Sequence, residues 1–194
     1  EAPAFIPCDV RDIAALRAAV AEARARLGPI RVLVNNAAHD ERHSIESVTP
    51  EYWDERFAVN LRHQFFAAQA VAPEMAAAGG GSIINFGSTS WLVGQGGMPA
   101  YLSAKAAVAG LTRALARDLG PMNIRVNAIV PGWIMTERQI KLWLTPEGEL
   151  ELLRRQCLKR KLRPEDVARV VLFFAADDSA ACTNQSYVVD GGWV

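Results

Sequence analysis

"GGGSIINFGSTSWLVGQGGMPAYLSAKAAVAGLTRALARDLGPMNIRVNAIVPG", Gly79 to Gly132, holds the fold in miniature. The run "GGGSIINFGS" is apolar on both sides of its pleat and exits at Gly87-Ser88, which predicts a fully buried strand. Pro99 to Leu119 predicts a long helix, opened by a proline at its first position and stopped by Gly120-Pro121. "IRVNAIVPG", Ile124 to Gly132, is a second apolar strand. Strand, helix and strand with no polar alternation imply parallel neighbours, joined by a crossover helix and covered on both faces.

The same alternation extends outward. "AFIPCDV" reads as a short strand ending in Asp9, and Asp12 caps the helix "IAALRAAVAEARARL", which stops at Gly28-Pro29. Ile30 to Ala38 is a strand running into a polar turn. Thr49 caps a long helix with Pro50 in its first turn, bent at Pro73. Trp133 to Arg163 has weak periodicity; helix "PEDVARVVLFFAAD" and strand "SYVVDGGW" follow. The expected architecture is α/β: a doubly wound parallel sheet, Rossmann-type, in one domain spanning residues 1–194. Ligands of such sheets bind at the carboxyl ends of the strands, where Asp9, Asn35-Asn36, Ser88 and Pro131-Gly132 fall.

The charge balance narrows the function classes. Basic and acidic side chains number 21 each, giving a formal net charge of zero, and they are interspersed along helices. No basic field exists to attract nucleic acid or an anionic membrane. No apolar run approaches the ~20 residues of a membrane span. The 3 cysteines, Cys8, Cys157 and Cys182, are odd in number and form no CxxC, which suits a reduced, cytoplasmic protein better than a disulfide frame or zinc site. His39 and His43 in "HDERH" read as an exposed polar loop, and no metal site is expected.

Within the helix from Pro99, Tyr101 and Lys105 stand at i and i+4 and share a face. A phenol titrates near 10, too high for a base at neutral pH, but a nearby cation favours the phenolate. Ser88 lies thirteen residues before Tyr101 and could hold a substrate oxygen against the phenol; Ser90 competes for that role, and the spacing favours Ser88. The three side chains together describe a proton-transfer site. Glycines 79 to 81 and 87 read as turn residues at the ends of a strand.

In order, "CDV" with Asp9, "NNAA" (Asn35 to Ala38), "VNL" with Asn60, Ser88, the YxxxK pair, "PGWIMTE" (Pro131 to Glu137) and "VDGGW" resemble the short-chain dehydrogenase/reductase family. The resemblance implies Tyr101 as general acid/base, Lys105 as the cation that lowers its pKa and holds the nicotinamide ribose, and Ser88 as the group that positions the reacting oxygen. Asn60 would hold a water that continues a proton relay. Asp9 and Val10 would lie by the adenine, Asn36 and Ala37 by the adenosine ribose. Pro131, Gly132, Ile134 and Thr136 would contact the cofactor on the nicotinamide side, the last two at its carboxamide. Ala38 stands where the family's turn has glycine. The family's opening strand, glycine-rich turn, helix and second strand have no counterpart here, which implies a longer protein with about 50 to 60 residues before Glu1.

"NNAAHDERHSIESVTPEYWDERFAVNLRHQFFAAQAVAPEM" and "CTNQSYVVDGGW" further resemble NAD-dependent aldose 1-dehydrogenases of the xylose and galactose type. That branch implies oxidation of an anomeric hydroxyl to a lactone, with NAD as cofactor and NADP as the other choice, and a homotetramer assembled through the two long central helices. The alternatives are a carbonyl or 3-oxoacyl reductase using the same residues in reverse, and a non-catalytic dinucleotide-fold binding protein.

Overall fold

The structure, a computed structural model, describes residues 3–194. Its elements run α1 (Ile13–Leu27), β1 (Val32–Asn35), α2 (Pro50–Phe57), α3 (His63–Ala77), β2 (Gly81–Phe86), α4 (Pro99–Leu119), β3 (Ile124–Pro131), α5 (Glu137–Leu142), α6 (Pro146–Arg155), α7 (Pro164–Ala175) and β4 (Ser186–Val189). The four strands form one sheet in the order β1-β2-β3-β4, every neighbouring pair parallel. Leu33 pairs with Ile83 and Ile83 with Val126, while Val34 pairs with Ile84. Successive side chains therefore alternate between two helical layers. Ile83 and Val126 pack with Ala68, Val71, Met75 and Leu115 of α3 and α4. Ile84 and Ile129 pack with Val167 and Phe174 of α7.

Local signals set several boundaries. Asp12 accepts from the backbone N–H groups of Ala14 and Ala15, and Thr49 from that of Tyr52, so both caps form as the sequence implies. The terminal segment folds back on the sheet. The Asp190 carboxylate accepts from Gly192 N at 2.8 Å and Val194 N at 2.9 Å. Its Cβ would lie 2.6 Å from any Cβ at position 132, which is why the turn after β3 carries glycine there.

Three expectations need correction. "AFIPCDV" forms no strand: Phe5 is largely exposed, and the segment has no neighbouring strand to pair with. β1 is shorter than Ile30 to Ala38, and Val32 and Val34 on its open edge are partly exposed because α7 does not reach over them. The long helix from Pro50 is broken by a π-turn at Ala58–Arg62, around the fully buried Asn60. The stretch of weak periodicity after Trp133, for which the sequence implies no element and excludes none, contains α5 and α6, capped by Thr136 and Thr145. Among the described residues no helix is long and apolar enough to cross a membrane.

His63, at the start of α3, is 2% exposed, and neither ring nitrogen has a hydrogen-bond partner. Burial, and then the charge of Lys105, push its pKa down from 6.5 to about 4. The unfolded chain therefore binds a proton that the native state refuses between those values. Stability is expected to fall as pH drops from about 6.5 toward about 4. Urea denaturation at several pH values checks this, and His63→Leu should flatten that part of the curve.

Candidate active site

The carboxyl ends of β2 and β3 open into a cavity of about 590 Å³, lined by Ser88, Tyr101, Gly132, Trp133, Ile134 and Thr136 among others. That volume falls in the ordinary range for a small-molecule site. Tyr101 sits in the first turn of α4, and Lys105 one turn later carries its Nζ over the phenol ring, 5.9 Å from the centroid. Lys105 is 2% exposed and donates to Phe86 O, the last carbonyl of β2, at 2.8 Å.

The two hydroxyls weighed in the sequence belong to one unit. Ser88 Oγ and Ser90 Oγ are 2.5 Å apart, and Ser90 N donates to Ser88 Oγ at 3.2 Å. Ser90 is the more buried of the two and steadies Ser88 from behind, and the Ser88 hydroxyl favours the Tyr101 phenolate. Both line the cavity.

The electrostatics differ from the simple expectation. Burial pushes Tyr101 up to about 12, against the Ser88 hydrogen bond and the charges of Arg42 and Arg138, which favour the phenolate. Burial also pulls Lys105 down to about 8. Burial thus disfavours the charged form of both groups. A further positive charge is needed in the cavity. Of the three donors of the ammonium, one goes to Phe86 O and two have no protein partner. A buried ammonium with two free donors beside a phenol fits the ribose hydroxyls of a nicotinamide cofactor, whose oxidised ring carries that charge.

The remaining candidates divide. Ile134 bridges to Leu162, and Thr136 caps α5, its Oγ1 accepting from Gln139 N at 3.2 Å. Pro131 ends β3. Asn36 and Ala37 are exposed just beyond β1. Ala38 has no positive φ, so its methyl group costs the turn no backbone strain. Asp9 and Val10 lie outside the cavity. The Arg11 guanidinium and backbone N–H hold the Asp9 carboxyl down at about 2, and Arg11 also reaches Glu55 of α2 at 2.8 Å. Asn60 uses its whole side chain on the backbone: Oδ1 accepts from His39 N at 2.9 Å, and Nδ2 donates to His39 O and Arg56 O.

The loop after β1 is not the exposed polar loop expected from "HDERH". His39 meets the buried Arg56, and Asp40 and Arg42 line the cavity. His43 Nε2 accepts from Ala100 N, the residue before Tyr101, at 3.3 Å, and its Nδ1 lies 2.9 Å from Tyr52 Oη. Acceptance at Nε2 assigns the proton to Nδ1. Met98 at the N-terminus of α4 provides no side-chain cap, so a ring 57 residues away in sequence does so. The "MPAY" stretch gives no local sign of this. Among the described residues no group of three or more His, Cys, Asp or Glu is placed to hold a metal.

A family model described as Enoyl-(Acyl carrier protein) reductase matches residues 1–194. The chain is 56% identical over 192 residues to the "Probable galactose dehydrogenase GalD" of Rhizobium meliloti (strain 1021), covering 99% of this chain and 75% of that protein. It is 51% identical over 191 residues to the D-xylose 1-dehydrogenase of Caulobacter vibrioides (strain NA1000 / CB15N), covering 98% and 75%. Among solved structures, a short-chain type dehydrogenase/reductase from Mycobacterium ulcerans superposes with a TM-score of 0.91 at 28% identity, covering 97% of this chain and 69% of that one. A gluconate 5-dehydrogenase from Burkholderia cenocepacia J2315, in complex with NADP and tartrate, gives 0.88 at 33% identity, covering 95% and 72%.

Ser88→Ala should lower turnover far more than Ser90→Ala, because Ser88 is the hydroxyl more open to the cavity and Ser90 lies buried behind it; steady-state rates for the two variants decide this, and equal losses would move the role. His43→Ala should lower stability by about 1 kcal/mol, the usual value of a lost helix cap, read from the urea midpoint.

Proposed function

The chain belongs to the short-chain dehydrogenase/reductase family, and from that premise we propose that it oxidises the anomeric hydroxyl of a cyclic aldose to the lactone with NAD as hydride acceptor. The observation that carries this reading is the convergence of Ser88 and Tyr101 on one cavity that combines a Trp133 face with polar side chains such as Gln95 and Gln139. Faces of that kind suit a sugar, which has apolar C–H patches between hydroxyls. The names of the galactose and xylose dehydrogenases at 51–56% identity support the same substrate class.

In this reading residues 1–194 form one dinucleotide-binding and catalytic domain. The cofactor, when bound, supplies the hydride acceptor and a positive ring that favours the phenolate. Ser88 holds O1 of the sugar against Tyr101. The phenolate takes the O1 proton as the C1–H bond breaks with its electron pair, and the C1–O1 double bond of the lactone forms. Lys105 holds the nicotinamide ribose with its two free donors and keeps a cation beside the phenol. Pro131, Gly132, Ile134 and Thr136 would hold the cofactor on its nicotinamide side, Asn36 and Ala37 at the adenosine ribose, and Asp9 and Val10 at the adenine. Asn60 holds the π-turn against the loop at His39, beside the water that passes the Lys105 proton onward.

The choice of NAD over NADP follows the branch resemblance. A homotetramer built through α2–α3 and α4 has the support of an apolar groove of about 340 Å³ lined by Phe57, Leu61, Phe65, Phe66 and Leu111. A cytoplasmic location accords with three free cysteines.

Tyr101→Phe in the full-length enzyme should retain cofactor binding and lose about 10²–10⁴-fold in turnover, the usual contribution of general acid–base catalysis. A panel of aldoses and ketones, assayed with NAD and NADP by nicotinamide absorbance, tests the substrate class. Aldose oxidation with NAD is the expected result. Fast ketone reduction without sugar oxidation would favour the reductase reading, and cofactor binding without any turnover the non-catalytic one.

A further inference from the structure

The acids that line the cavity arrive already neutralised. Asp40 accepts from Arg138 and, at 2.6 Å, from Gln139 Nε2, and although burial pushes its carboxyl up, these bonds hold it below the usual range. Glu151 accepts from Arg154 at 2.8 Å and from Arg155 at 2.5 Å, which also commits the Arg155 charge. Arg42 differs. It belongs to no ion pair among the described residues, and its Nε is buried without a hydrogen-bond partner. Its guanidinium lies over the Trp143 ring, 4.8 Å from the centroid. A guanidinium stacked on an aromatic face keeps its donors in the plane of the fork.

Arg42 is therefore the lining cation that no carboxylate holds among the described residues. A sugar hydroxyl there would accept a hydrogen bond and leave the guanidinium charge unmatched. A carboxylate brings two acceptors and the single charge that one guanidinium matches in bidentate fashion. A phosphate dianion would leave a negative charge over. Arg42 and Tyr101 line the same cavity, so a ligand anchored by Arg42 shares that space with the phenol.

We propose that Arg42 is a specificity-determining residue that anchors a substrate carboxylate, and that the enzyme oxidises hexuronates, aldoses with a carboxylate distal to C1, in preference to the matched neutral hexose. The inference rests on the aldose reading. The chemistry at C1 is unchanged: the O1 proton goes to Tyr101, the C1 hydride to the cofactor, and the distal carboxylate is untouched.

The test compares D-galacturonate, D-galactose and D-galactose 6-phosphate as substrates of the full-length enzyme and of its Arg42→Met and Arg42→Lys variants, with thermal melting to report folding. The wild type should have the higher kcat/KM on galacturonate. Arg42→Met should lower the galacturonate-to-galactose ratio of kcat/KM by about 10- to 100-fold, mainly through KM, the range for one charge-assisted pair. Arg42→Lys, which keeps the charge and loses the fork, should lower it less. Oxidation of galactose without oxidation of galacturonate, a ratio unmoved in Arg42→Met, or preference for the 6-phosphate would overturn the proposal while leaving the aldose reading intact. Failure to oxidise any of the sugars while ketones are reduced would overturn both.

Discussion

The hydrogen bond from the Lys105 ammonium to the last carbonyl of β2, 2.8 Å long and shut away from solvent, is the constraint on which the site depends. It ties α4 to the carboxyl end of the strand that precedes it and so fixes where the helix begins. Tyr101 lies one turn earlier, and Ser88 leaves the same strand two residues after Phe86, so both reach the mouth of the sheet from opposite sides of one tether. A buried cation with a single carbonyl is costly by itself. That cost appears as a Lys105 pKa of about 8, and the same burial holds Tyr101 as a neutral phenol up to about 12. The resting site is thus a neutral acid beside a strained cation, poised for a ligand that brings hydroxyls to one and positive charge to the other.

A second brace comes from the loop after β1. Asn60 and Arg56 pull it inward from the helix side, and His43 then caps α4 in front of Tyr101. The π-turn at Ala58–Arg62 belongs to this brace, since it presents Asn60 to the backbone of His39. Such turns often occur at functional sites because an extra residue re-aims the side chains around it. The loop that secures the catalytic helix also brings Asp40 and Arg42 to the cavity, so positioning of the base and shaping of the substrate wall are joined in five residues.

What was legible in the sequence is what local chemistry decides. Asp12 and Thr49 announce their helices, proline and glycine-proline bracket α4, and the YxxxK spacing places Tyr101 and Lys105 on one face. The parallel sheet followed from strands apolar on both faces. What escaped depends on distant partners. "AFIPCDV" has the composition of a strand but no neighbour to pair with, and strand formation is decided by the neighbour. "HDERH" looks solvated until Arg56 and the backbone of Ala100 are brought against it. Helical spacing reveals the cation near Tyr101 and not the depth at which both groups are buried.

The central claim is that the buried Lys105 charge both holds the cofactor and favours the Tyr101 phenolate. The direct measurement is cofactor affinity together with the pH dependence of kcat for Lys105→Met in the full-length enzyme. Loss of the cation removes hydrogen bonds to the ribose and raises the phenol pKa further. The account predicts affinity weaker by about tenfold or more and an acid limb of kcat displaced to higher pH. Unchanged affinity with an unmoved limb would contradict it.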